Sequence, residues 1–128
     1  MRHRKAGRKL GMGGPQRWAL LRSLAVAVIK NGRVLTTEAR GKEVRRYVER
    51  MVTIAKRAGR ADEANAAARR VHAIRRVGAL LHDKDVVPML FEDYAIRFAD
   101  RNGGYLRVIG AGRRKGDGAQ MVVVGFVD

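Results

Sequence analysis

The sequence predicts an α+β fold of two layers, with helices packed on one face of a small sheet. Three observations carry that expectation. Apolar residues recur at helical spacing in four stretches and short β-branched runs occur in three, in the order helix, strand, three helices, two strands. Hydrophobic residues make up 46% of the 128, which is enough for a core and too many for a disordered chain. Cysteine is absent, so neither a disulfide scaffold nor a thiolate zinc site nor a thiol nucleophile is available, and a reducing compartment suits the chain.

The length suits one domain with a tail, and the pattern divides it into an arm, residues 1–14, and a single globular domain, residues 15–128. Met1–Gly14 is basic and glycine-rich without a hydrophobic period, so alone it is expected to be flexible. Gly14-Pro15 opens the first helix, because proline suits a first turn. Trp18, Leu21, Leu24, Ala25 and Val28 fall on one face of it, and Asn31-Gly32 stops it. Arg33–Thr37 reads as a strand.

Thr37 is placed to cap a second helix, with Glu38 at its positive end. Its apolar stripe is Val44, Tyr47, Val48, Met51, Ile54 and Ala55, and charged residues, Lys56 among them, take the solvated remainder. Gly59 ends it. Asp62-Glu63 begins an alanine-rich third helix carrying Arg69-Arg70 and Arg75-Arg76, and the second pair, like Lys56-Arg57, by itself suits a solvated face. His82–Asp85 is a polar break, and Asp85 is expected to cap the last helix, whose stripe is Val87, Leu90, Phe91, Tyr94 and Phe98. Asn102-Gly103-Gly104 stops that helix. Tyr105–Ile109 and Gln120–Val127 read as a hairpin whose long loop, Gly110–Ala119, carries Arg113, Arg114 and Lys115. Leu106 and Val108 are expected to face the core, Tyr105 and Arg107 the other way. The last strand is apolar almost throughout and is expected to be covered on both sides.

Charge narrows the function. Lys and Arg total 28 against 12 acids, a net charge of +16, which calls for a polyanionic partner. Residues 1–60 hold seventeen of the bases and three of the acids, so the excess is N-terminal. Arginine accounts for 21 of the 28, and its planar fork suits phosphates and base faces. Arg2, Arg4, Lys5, Arg8 and Lys9 have no acid near them, and their glycine neighbours let a backbone thread between phosphates. A cleaved targeting peptide fits poorly, since Arg22 interrupts the apolar run, and no segment is long enough to span a membrane.

Chemistry has no comparable support. His3, His72 and His82 form no ligand spacing, so no metal and no cofactor is implied. Gly110–Gly116 is similar to a phosphate loop but lacks the Lys followed by Ser or Thr, and it lies between two strands. Asp117 reads as a turn residue in Gly116-Asp117-Gly118. The chain is therefore not expected to be an enzyme or to take a small-molecule substrate.

Met1-Arg2-His3-Arg4-Lys5, Arg8-Lys9-Leu10, Thr36-Thr37, Lys42-Glu43, Arg45, Phe98, Arg101 and Gly103-Gly104-Tyr105 resemble, in order, the bacterial large-subunit ribosomal protein family numbered seventeen. Arg107, Ile109, Gly112-Arg113, Gly116-Asp117 and Met121 complete the resemblance, which covers the chain apart from about residues 58–82. It implies a helical layer on a small sheet and a structural component of the large subunit that binds its long rRNA. It also implies a position on the outer side of the subunit, in the region of the peptide exit tunnel. Carried over by position, the rRNA contacts are Arg2, His3, Arg4, Lys5, Arg8, Lys9, Arg17, Thr36, Thr37, Lys42, Arg45, Arg101, Arg107 and Arg113. Arg114 and Lys115 join them from the basic loop. Departures from the family pattern are Gly11–Gln16, which lacks its histidine, Gly41 for alanine, Leu106 for threonine and Gly125 for glutamate. Gly41 is expected to weaken its helix slightly.

The expected partners are large-subunit rRNA and neighbouring ribosomal proteins, with no membrane. The expected location is the cytoplasmic ribosome, with a mitochondrial or plastid ribosome also open. A DNA-binding protein of the nucleoid type is the alternative; the charge permits it, but no helix pair with a short turn precedes an obvious recognition helix.

Overall fold

The computed structural model describes residues 3–59 and 64–127, so Arg2 and the expected helix start at Asp62-Glu63 lie outside the described residues. The fold is α+β: four helices and a three-stranded antiparallel sheet in the order expected. Helix α1 spans Gly14–Asn31 with Pro15 in its first turn. It stops at Gly32, whose φ of 80° is left-handed and whose N–H donates to the Val28 carbonyl at 2.7 Å. Strand β1 is Arg33–Thr37 and passes directly into α2, Glu38–Gly59. Helix α3 is Ala66–Leu81. Helix α4 consists of an α-helical turn, Val86–Met89, a π-helical stretch, Leu90–Tyr94, and a last α-helical turn, Ala95–Arg97. Strands β2 and β3 are Leu106–Arg113 and Gln120–Phe126.

The C-terminal strand β3 is the centre of the sheet, antiparallel to β1 on one side and β2 on the other. Its register places Val124 between Val34 and Val108, and Val123 between Leu35 and Ile109. Side chains alternate across a strand, so Val122, Val124 and Phe126 share the face that meets the helices. Helix α2 lies over that face and also packs against α1, α3 and α4. Val44, Val48, Met51 and Val52 of α2 are fully buried, as are Val28 and Ile29 of α1 and Leu90 of α4. Each such side chain contributes about 1.5–3 kcal/mol by leaving water. An aromatic cluster closes one end of the core, with Tyr94 stacked on Phe126 at 4.0 Å and Phe98 tilted against Tyr105 at 5.4 Å.

Several expectations are corrected by packing. β3 is covered on one side only, and the outer face leaves Leu35 and Ile109 exposed, because the helical layer covers the other face through α1 and α2. Tyr105 does not face outward: it precedes β2 and is 3% exposed, turned into the aromatic cluster. β2 runs on to Arg113 through an irregularity after Gly110, so the loop shrinks to residues 114–119. Asp85 does not cap α4; its backbone is already helical and its N–H is taken by Asp83 Oδ1 at 2.8 Å. Trp18 is half-exposed and rests tilted against Tyr47 rather than in the core. Lys56 is buried, not solvated: its ammonium donates to the Arg101 carbonyl and, at 2.8 Å, to Tyr105 Oη.

Candidate nucleic-acid interface

Helix α2 supplies the first part of the interface, because its N-terminal end emerges beside the sheet while its apolar stripe is held by the core. Lys42 and Arg45, one turn apart on its exposed side, line a groove with Val108, Gly110 and Gln120 of the hairpin. Both are already paired within the helix. Lys42 Nζ donates to Glu38 Oε1 at 2.8 Å, and Arg45 Nε donates to Glu49 Oε1 at 3.0 Å. Arg46 and Glu43 are 3.9 Å apart. The Lys42 and Arg45 pairs are exposed and worth a few tenths of a kcal/mol each. Phosphates can therefore displace the carboxylates at little cost.

The arm meets the same place. Residues 3–13 contain neither helix nor strand, and Met12 closes a turn onto the Lys9 carbonyl at 3.1 Å. Gly7 lies against the Glu43 carboxylate. The Glu38 carboxyl is held below its ordinary range first by the Lys42 hydrogen bond and charge, and more weakly by the positive charge of Arg8. His3, Arg4, Lys5, Arg8 and Lys9 are all exposed, and Arg17 is half-exposed in the first turn of α1. Arm, α2 and hairpin base thus converge around Glu38, Lys42 and Arg45.

The hairpin tip is a second, more rigid feature. Asp117 accepts two hydrogen bonds from Arg114, Nε at 3.0 Å and Nη2 at 2.6 Å, and a third from the Ala119 N–H at 3.1 Å. The Arg114 contact and the Ala119 N–H hold the Asp117 carboxyl well below the usual carboxylate range. Asp117 is therefore the turn residue expected, and it also occupies the guanidinium of Arg114. Arg113 and Lys115 beside it are exposed and free of ion pairs among the described residues.

Other expected contacts are elsewhere. Arg101 follows α4, at the C-terminal end of α2, some 21 Å along the helix from Lys42 at 1.5 Å per residue. Arg107 is on the outer face of the sheet, in one cross-strand row with Gly125 and Arg33. Thr37 is half-buried at the end of β1. Thr36 is 7% exposed on the core face, next to Gly41. The pattern alone missed Arg33, which the strand register places on the outer face in the row of Arg107. Among the described residues no group of three His, Asp or Glu side chains could hold a metal ion, and no helix is long and apolar enough to cross a membrane.

The sequence model of the family described as Ribosomal protein L17 matches residues 20–127. The chain belongs to that family. Relatives of the ribosomal protein L17 family extend the likeness beyond the matched region. A protein of Dictyoglomus turgidum named large ribosomal subunit protein bL17 is 42% identical over 127 residues, which is 99% of this chain and 100% of that protein. Proteins of the same name from Allorhizobium ampelinum and Syntrophotalea carbinolica are 41% and 38% identical over the whole of this chain, covering 83% and 76% of their own lengths. The family match begins within α1, so the arm lies ahead of it, while these pairwise likenesses reach across the arm as well.

Proposed function

We propose that this ribosomal protein is a structural constituent of the large subunit that binds large-subunit rRNA. The arm, the N-terminal end of α2 and the basic hairpin tip make the contacts. The observation that carries the reading is the meeting of exposed, acid-poor arm residues with Lys42 and Arg45 at the hairpin base, in a member of a ribosomal protein family. Its relatives are named as large-subunit proteins, which directs the +16 charge to rRNA rather than DNA. The mechanism is neutralisation of phosphates combined with recognition of the shape of folded RNA.

In this reading residues 15–128 fold as one domain that packs on the RNA surface, and residues 1–14 thread into it and become ordered there. His3, Arg4, Lys5, Arg8 and Lys9 act with Arg2 in the arm. Arg17, Lys42 and Arg45 act at its root, Arg113, Arg114 and Lys115 at the hairpin tip. Arg101, Arg107 and Thr37 serve separate parts of the RNA. The partners are rRNA and adjoining ribosomal proteins, and the place of action is the ribosome. The test is gradient fractionation of cells carrying the full chain or a chain lacking residues 2–9. The full chain is expected with the large subunit. The truncated chain is expected to keep its circular dichroism spectrum and to be depleted from that fraction. Equal incorporation of both removes the role of the arm, and co-purification with DNA away from ribosomal particles replaces the reading with the DNA-binding one.

A further inference from the structure

The third helix offers a site that neither the charge map nor the family resemblance marked out. α3 carries Arg69, Arg70, Arg75 and Arg76 and no acid between Ala66 and Leu81. It buries only the stripe Ala73, Val77 and Leu81. Arg69, His72 and Arg76 are spaced i, i+3, i+7 and share one side of the helix. That side faces α2 across an open groove of about 410 Å³, with Arg57 of α2 on the opposite wall. The groove floor is apolar, formed by Ile54, Ala58 and Ala73, and among the described residues no acid lines it. Arg57, Arg69 and Arg76 are exposed and have no ion pair among the described residues.

This is an unusual combination. Three like charges around a shared apolar floor repel one another, and no carboxylate among the described residues of the groove offsets that repulsion. A ligand suited to the site has negative charge for the forks and a flat apolar body for the floor. A nucleotide has both: the base lies on the floor and against guanidinium planes, and the flanking phosphates meet the arginines. The volume is at the lower end of ordinary small-molecule sites, large enough for one extruded base with part of its backbone. An acidic peptide would satisfy the arginines but leave the floor without a planar partner.

We propose that the groove between α2 and α3 receives one unpaired nucleotide of the rRNA, making α3 an RNA-binding element separate from the arm. This rests on the rRNA-binding reading and adds a site to it. The test compares four full-length proteins binding purified large-subunit rRNA across a salt series, with chemical footprinting of the RNA. They are wild type, R69Q/R76Q, A68L and the arm variant R4Q/K5Q. Ala68 is an exposed residue lining the groove, so leucine there fills space without changing charge. Circular dichroism checks that each protein is folded.

The expected result is a log–log salt slope shallower by roughly one for R69Q/R76Q, the effect of losing one or two phosphate contacts. A68L is expected to bind about tenfold more weakly, as for the loss of one stacked base, with an unchanged slope. Both variants are expected to expose the same unpaired nucleotide to the footprinting reagent, and R4Q/K5Q to leave it protected. If A68L binds as wild type, no base enters the groove and the proposal is overturned. If both groove variants match wild type while R4Q/K5Q is weakened, the groove is not an RNA site, yet the general reading stands. If wild type itself shows no preference for the rRNA, both fall together.

Discussion

Gly41 shows how a single hydrogen atom in place of a methyl group sets a helix against a sheet. Helix propensity alone makes Gly41→Ala favourable by up to about 1 kcal/mol. The packing reverses the sign. A Cβ at this position would lie 2.5 Å from Val122 Cγ2 and 3.1 Å from Val124 Cγ2, and those branched side chains are fixed in the sheet core. Gly41→Ala is therefore expected to destabilise the fold by about 1–3 kcal/mol in urea denaturation, the usual cost of overpacking. A stabilised variant would show that the sheet yields easily at this point. Lys56 is the second such residue. Its buried ammonium ties α2 to the Arg101 carbonyl and Tyr105 Oη and sits 4.8 Å from the centre of the Tyr105 ring. Lys56→Met keeps most of the volume but removes both donors. The expected loss is about 1–3 kcal/mol, the cost of leaving buried acceptors less well satisfied. The amides of the turn at Asn102–Gly104 should then exchange faster with solvent, and unchanged exchange there would mean the turn holds itself.

At the scale of the element, the hairpin tip is ordered by its own charges rather than by the core. Asp117 accepts from Arg114 and from the Ala119 N–H, and every residue from Arg113 to Gly118 is exposed. A carboxyl whose folded-state pKa is depressed contributes its order fully above the unfolded value, near 3.9, and loses it as pH falls through the lower folded value. The Asp117 carboxyl is thus expected to titrate, by NMR, well below the ordinary aspartate value. Titration at that ordinary value would show that the Arg114 pairing is not maintained in solution. The π-helical stretch in α4 is an element-scale feature of another kind. Leu90, Phe91 and Tyr94 of this stretch are all buried, and Tyr94 Oη donates to the Ile29 carbonyl at 2.9 Å. Spacing alone identified those apolar residues but described an ordinary helix, since a one-residue shift in phase leaves the apolar pattern almost unchanged.

Across the whole molecule, charge and core are kept apart except at Lys56. The sheet and α2 form a scaffold whose last strand is central, so the fold closes only when β3 enters between β1 and β2. Basic side chains are then distributed over several surfaces: the arm with the end of α2, the hairpin tip, the outer sheet face, and α3. Such a layout suits a protein wedged among several RNA segments better than one lying on a single duplex. About eight phosphate contacts correspond to a log–log salt slope of roughly −6 to −7 for binding to large-subunit rRNA. A slope shallower than about −3 would mean that most of these surfaces stay free in the complex.

Periodicity and charge by themselves determined the order of elements, the limits of α1 and β1, the arm and the concentration of base before residue 60. These are local properties: apolar spacing, a glycine able to take a left-handed φ, a run of charges without acids. Tertiary structure decided which faces those elements present. Thr36 and Tyr105 turn inward, Lys56 is buried, and Leu35 and Ile109 are left exposed, because β3 takes the central position and the helical layer covers one face of the sheet through α1 and α2. The groove between α2 and α3 belongs to the same class. The spacing of Arg69, His72 and Arg76 is written in the chain, but that they meet Arg57 over an apolar floor depends on how two helices pack. Contacts between residues distant in sequence are set by the whole core at once, and no local pattern encodes them.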